Sequence, residues 1–217
     1  MARHSEPRPR SLDWGQRWRT DRLRTDQVIW AIIAVNVVVF IGWQDPSLRG
    51  FMYDHFTVSI ESVLSLRIWT LLTAELSHYD TWHLVFNMWG LYLFGRTIGQ
   101  ARGAMEVLQI FLTGATLASV AHVAFSLGLG TSAPAIGASG GVMALAAYYG
   151  GMFPDRTLLL FFVVPVPAAL AVALFILADV FGLLWPGSPV AHAAHLGGAA
   201  YGLLHYQLFV QGPQNRR

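Results

Sequence analysis

A serine hydroxyl becomes a nucleophile when a neutral imidazole stands ready to take its proton, and several residues of this chain suit that chemistry. Ser139 lies in Pro134-Ala135-Ile136-Gly137-Ala138-Ser139-Gly140-Gly141. Its small neighbours leave the hydroxyl open, and the glycines permit a tight loop leading into a helix. Capping that helix is the plainer use of a serine at such a place. His83 and Asn87 are four residues apart, so they share one helix face. Both donate hydrogen bonds, either between helices or to a ligand. His195 sits in Ala191-His192-Ala193-Ala194-His195-Leu196-Gly197-Gly198. Gly198 and Gly202, also four apart, let two helices approach closely. Gly137 and Gly141 offer a matching smooth face, and that packing would set His195 beside Ser139 as a base. His78, His122 and His192 read as structural. Asp179 reads as a helix-end contact, with orientation of a histidine as the alternative.

The elements that position these residues are read from composition. Of 217 residues, 54% are hydrophobic and 12% are charged. A soluble domain carries about 25% charged residues, so this chain belongs in a lipid bilayer. It has no cysteine and no lysine, which excludes disulfides, thiolate chemistry and a lysine base. The basic residues are all arginine and, apart from Arg96 at the inner end of the second run, lie outside the apolar runs. Membrane topology explains them better than nucleic acid does, and no nucleic-acid partner is expected.

Six apolar runs follow one another: Val28 to Trp43, about Trp82 to Ile98, about Ala104 to Leu127, Ser139 to Phe153, Leu158 to Leu184, and a last one reaching about Val210. Pro165 and Pro167 interrupt the fifth. With six spans, 12 arginines fall on the inner side and only Arg49 and Arg67, 2 of the 14, on the outer. The fourth run has 15 residues. At about 1.5 Å per residue it covers about 22 Å, whereas the hydrocarbon layer is about 30 Å thick. Ser139 should therefore lie below the outer surface, where irregular backbone is tolerated only if it is buried or lines a water-filled cavity. The fold class is an all-α membrane protein. It is a six-transmembrane helix bundle with a short, recessed fourth helix and a membrane-lying loop, residues 44 to 80, between helices 1 and 2. The expected division is an Arg-rich segment 1–26, a membrane domain 27–211 and a polar tail 212–217. Ser11 to Leu23 is a candidate interfacial helix.

These residues resemble the rhomboid intramembrane serine proteases. The family motifs stand here as His78…His83…Asn87, Gly137-Ala138-Ser139-Gly140 and Ala194-His195…Gly198…Gly202, in order and on the expected spans. The resemblance implies Ser139 as nucleophile and His195 as general base, a dyad without an acidic third member. It implies an oxyanion hole from His83, Asn87 and the Ser139 backbone N–H, with His78, Gly137, Gly140, Gly198 and Gly202 as motif support. It implies no cofactor and no metal. The partners it implies are single-span membrane proteins, cut beside a small residue near the outer face. Met143 occupies a position where the family often has an aromatic packed on the histidine; a thioether can still pack against an imidazole, so the departure bears on that packing detail and not on the activity. A zinc protease would need H-E-x-x-H, and an aspartyl one would need Gly-x-Gly-Asp; neither occurs. The alternatives are a catalytically silent module that binds membrane proteins and a small transporter. Six spans without a seventh lead to the expectation of a prokaryotic cell (inner) membrane, with both termini cytoplasmic.

Overall fold

The computed structural model describes residues 14–131, 133–160, 163–185 and 191–211, with side chains from residue 22 onward. The tail 212–217, the segment 186–190 and the first 13 residues lie outside the described residues. Helix α1 (Trp14–Gln44) is continuous, so the expected interfacial helix is the first part of α1 and not a separate element. Three short helices follow, α2 (Arg49–Phe56), α3 (Ile60–Leu64) and α4 (Thr70–Thr73). Then come the long helices α5 (Thr81–Arg102) and α6 (Ala104–Leu129) and the short α7 (Ser139–Met152). A two-stranded hairpin, β1 (Thr157–Leu160) and β2 (Val164–Pro167), leads into α8 (Ala168–Leu183) and α9 (His192–Phe209).

The molecule is a mostly helical bundle with α7 at its centre, packed against α5, α6, α8 and α9. The sequence of α7 explains its place. Gly140, Gly141, Ala144, Ala146 and Ala147 keep it thin, and all are buried. Its two bulky residues, Tyr148 and Tyr149, fill the space at its inner end. α1 packs on α5 and α6 and turns Val35, Val38 and Ile41 outward. The outward faces of α5, α8 and α9 are likewise apolar, with Trp82, Phe86, Leu174, Phe181, Leu204 and Leu208 exposed. Such surface is costly in water and favourable against lipid.

Two helical segments are long and apolar enough to cross a membrane by length and composition, Arg22–Gln44 and Ala104–Leu129. α7 and α8 are shorter, at 14 and 16 residues. α5 and α9 carry histidines and other polar groups within their length. Length and composition alone therefore do not yield six spans.

The fifth apolar run, expected as one span interrupted by Pro165 and Pro167, divides into a hairpin and a helix. Thr157–Leu160 and Val164–Pro167 pair as antiparallel strands, Thr157 opposite Pro167 and Leu160 opposite Val164. Pro165 and Pro167 lack the N–H that a helix would use, and a two-stranded edge tolerates them. The 44–80 connection is structured as expected. Arg67 pairs with Asp54 at 2.9 Å, and the Trp69 indole donates to His55 Nδ1 at 3.2 Å. Leu64, Leu66 and Ile68 on it are exposed.

Candidate active site

The loop before α7 is clamped from several sides. Val58 and Ala135 exchange two backbone hydrogen bonds, of 3.0 and 2.8 Å, which pin it to the 44–80 connection. The Gly137 N–H donates to Ala74 O at 3.0 Å. His122 of α6 holds Ala133 O at 3.0 Å through its Nε2. His78 is buried, and burial, followed by the charge of nearby His83, pushes its pKa down to about 3. It therefore stays neutral, and its Nε2 accepts the Ala138 N–H at 3.4 Å. Gly137 has φ 128°, which favours glycine. A Cβ there would also lie 2.7 Å from the His83 ring.

This loop delivers Ser139 as the first residue of α7. The N-cap is Ala138, with no side-chain cap, so the capping use of Ser139 does not apply. Its hydroxyl instead meets His195: Oγ and Nε2 are 2.7 Å apart. α7 and α9 come this close because a Cβ at Gly198 would overlap the Gly140 carbonyl, and one at Gly202 the Ala144 carbonyl. The glycine match is therefore with Gly140 and Ala144. Gly141 instead faces Phe111 of α6, and Gly137 faces His83, so these two are not the matching surface that the sequence suggested.

Ser139 and His195 line a cavity of about 350 Å³ together with Tyr79, Asp80, His83 and His122. The Tyr79 N–H donates to His83 Nδ1 at 3.4 Å. A neutral ring then carries its own proton on Nε2, where it serves as a donor. Asn87 is buried one helical turn further along α5 and does not line that cavity. One of its amide hydrogens goes to His83 O at 2.9 Å, which leaves the second. Met143 lines a different, apolar cavity of about 400 Å³, with Gly90, Phe175 and the β1 strand among its walls.

Two groups that the sequence left unused or undervalued belong to this region. Asp179 of α8 is buried, and its Oδ1 lies 2.9 Å from His195 Nδ1 and 2.7 Å from His192 Nδ1. The histidine thus has an acidic neighbour, a residue that the dyad implied by the resemblance does not include. The donor atoms of Asp179, His192 and His195 all lie within 4.8 Å of one another, the spacing of a metal site, though the two N–H···O bonds already account for it. The second group is Glu75, buried in the turn before α5 and facing the first turn of α7. Ser119 donates to its Oε1 at 3.1 Å, and the backbone amides of Gly140 and Gly141 lie close to the same carboxyl.

Burial pushes the Glu75 pKa up to about 8, against the downward pull of the Ser119 hydroxyl and the amides of Gly141 and Gly140. The folded value exceeds the ordinary 4.5, so the folded state holds this proton more tightly than the unfolded chain does. The stabilisation is complete below pH 4.5 and is lost as pH rises through about 8. The melting temperature should fall over that window, and Glu75→Gln, neutral throughout, should flatten the decline. Thermal melts in detergent across the window test it; equal slopes for both proteins would mean that Glu75 is charged in the folded state.

A family model described as "Rhomboid domain" matches residues 65–212. The chain is 35% identical over 187 residues to "RHOMBOID-like protein 12, mitochondrial" of Arabidopsis thaliana, covering 80% of this chain and 55% of that one. It is 30% identical over 179 residues to "Presenilin-associated rhomboid-like protein A, mitochondrial" of Danio rerio, covering 82% and 46%. It is 28% identical over 189 residues to the human "Presenilin-associated rhomboid-like protein, mitochondrial", covering 86% and 49%. The chain spans about half the length of these relatives. Their names correct the expected prokaryotic cell membrane, since all three are mitochondrial proteins. The physical reason for the miss is plain. Arginine bias and span count distinguish the two faces of a membrane and say nothing of which membrane it is.

Proposed function

The chain belongs to the rhomboid family, and from that premise we propose that it is an intramembrane serine endopeptidase acting on single-span membrane proteins. The observation that carries this reading is the 2.7 Å contact between Ser139 Oγ and His195 Nε2 at the cavity. Ser139 attacks the scissile carbonyl while His195 Nε2 takes the hydroxyl proton. The oxygen becomes negative and is met by the Ser139 N–H, which has no helical partner at the first position of α7, and by His83 Nε2–H. The second amide hydrogen of Asn87 is the third donor. His195 then protonates the leaving amine, and water entering the cavity hydrolyses the acyl ester by the same proton relay.

The membrane arrangement in this proposal has six spans, α1, α5, α6, α7, α8 and α9, within residues 27–211. The 44–80 connection lies on the surface of the bilayer, and 1–26 and 212–217 flank the domain. Its support is the arginine split and the apolar outward faces. The membrane itself is mitochondrial in this reading, after the names of the relatives. No cofactor takes part in the steps above.

The test is incubation of the purified protein with a model single-span substrate in liposomes, wild type beside Ser139→Ala. Cleavage by the wild type alone supports the protease. Substrate capture without cleavage by either protein would favour a silent binding module. Movement of a solute without cleavage would favour a transporter.

The donors have unequal weight. Removing one preorganised oxyanion donor costs about 10²–10³ in rate. His83→Ala should lower the single-turnover rate about 10²-fold with little change in substrate binding, because the charge it meets forms only in the transition state. Asn87→Ala should cost less, since Asn87 lies off the cavity wall and already donates to His83 O. Rates beside thermal melts check this. A His83→Ala protein that melts and cleaves like wild type would take His83 out of the oxyanion hole.

A further inference from the structure

We propose that Asp179 is a positioning residue for the base, so that the working unit is a chain running Ser139, His195, Asp179. This rests on the serine-protease reading above. An ionised carboxylate only accepts hydrogen bonds. With Asp179 as the acceptor, His195 Nδ1, 2.9 Å from its Oδ1, is the nitrogen that carries the proton of the neutral ring. The neutral ring then has its lone pair on Nε2, the atom 2.7 Å from Ser139 Oγ. Asp179 thus selects the tautomer in which His195 is able to act as a base, and its charge stabilises the imidazolium that forms once Ser139 has given up its proton. This is the logic of an Asp–His–Ser relay on an unrelated fold.

The outer half of α8 is shaped for this contact. Among the residues of α8, Ala168, Ala171 and Val172 are buried in its first half, and Asp179 alone is buried in its second. Gly182, three residues later, faces the His192 ring, and a Cβ there would overlap it. The missing side chain lets His192 lie against α8 and give its own Nδ1–H to the same Asp179 oxygen at 2.7 Å. One buried carboxylate oxygen thereby ties α8 to two positions of α9. A mere helix-end contact would need neither the burial nor the second histidine. The titratable groups around His195 are Asp179 on α8, His192 on its own helix and His83 on α5, with Asp80 and His122 on the cavity wall.

The test uses a fluorophosphonate probe, which reports the activated serine without needing the natural substrate. Ser139 Oγ attacks phosphorus, fluoride leaves, and His195 takes the proton. The full-length protein in detergent is compared with Asp179→Asn for labelling rate against pH, with a melt as control. We expect labelling to fall about 10²-fold or more at neutral pH, and the acid limb of the profile to move to lower pH, because the imidazolium has lost its counter-charge. Asp179→Glu should recover part of the rate. A folded Asp179→Asn protein with the wild-type rate and acid limb would overturn the proposal. Should Asp179→Asn fail to fold, ¹⁵N NMR of the histidine side chains in the wild type decides: a proton on His195 Nδ1 supports it, and a neutral ring protonated on Nε2 overturns it. If the wild type labels no faster than Ser139→Ala, the protease reading has failed, and the NMR result still tests the Asp179–His195 bond by itself.

Discussion

Ser139→Ala and His195→Ala should each abolish cleavage, and the double variant should be no worse than either. In the proposed reaction the nucleophile and its base act as one unit, so removing either removes the whole of their contribution. In a soluble serine protease that loss is about 10⁶ in kcat, and a similar scale is expected here. The structural ground is the single contact of 2.7 Å between Oγ and Nε2, which lets the proton move directly. Both side chains line an existing cavity, so truncating them leaves little new buried void. Melting temperatures should therefore stay near wild type. The measurement is single-turnover cleavage of a model substrate by the two single variants and the double. A double variant slowed by the product of the two single effects would mean that serine and histidine act independently, and the relay would be wrong.

Gly198→Val should be nearly as damaging, by a different route. A Cβ at this position overlaps the backbone of Gly140, not a side chain that could rotate away. Overpacking costs about 1–3 kcal/mol, occasionally more, and a backbone obstacle belongs at the upper end. About 3 kcal/mol corresponds to a loss of roughly 6–12 °C in melting temperature for a chain of this size. The protein that remains folded must part α7 from α9, and with them Ser139 from His195. A misplacement of about 1 Å costs about 10²-fold in rate, so cleavage should fall at least that far even well below the melting temperature. Gly128→Ala on α6 is the control, because its Cβ would meet nothing within 4 Å. A Gly198→Val protein with wild-type melt and rate would show that this close approach is not what sets the Ser139–His195 distance.

The residues that meet at the cavity were legible because their chemistry is local in type and spacing. A serine among glycines, one histidine on an earlier helix and one on a later helix, and a four-residue glycine repeat suffice to suggest the pairing. What stayed hidden depends on rotation and depth, which spacing does not carry. Asp179 reads as a helix-end residue until α8 is turned about its axis to face α9. Glu75 is one acid in a long connection until its burial against the first turn of α7 is seen. The partner of Gly198 proved to be Gly140 because the register between α7 and α9 is set by three-dimensional packing. The hairpin was hidden for another reason. A continuous apolar run has no periodicity to separate strand from helix, and only Pro165 and Pro167 hinted at it.

The hairpin has a consequence for the lipid around the molecule. It takes the first ten residues of the fifth apolar run, so α8 keeps only 16, about 24 Å of helix. α1, on the side of α5 and α6, offers an apolar length of 23 residues, Arg22 to Gln44. In the membrane reading, one flank of the protein thus matches a full bilayer and the other is several ångströms too short. Acyl chains beside α8 must tilt or compress, or the exposed Leu159, Val163 and Val164 of the hairpin must sink into the gap. Such hydrophobic mismatch costs fractions of a kcal/mol per Å. Asp179 sits in the helix that bears this load, so the strain reaches the contact through which α8 meets His195 of α9. In the protease reading, membrane thickness then becomes a variable of the site itself, one that short-chain and long-chain lipids would set differently.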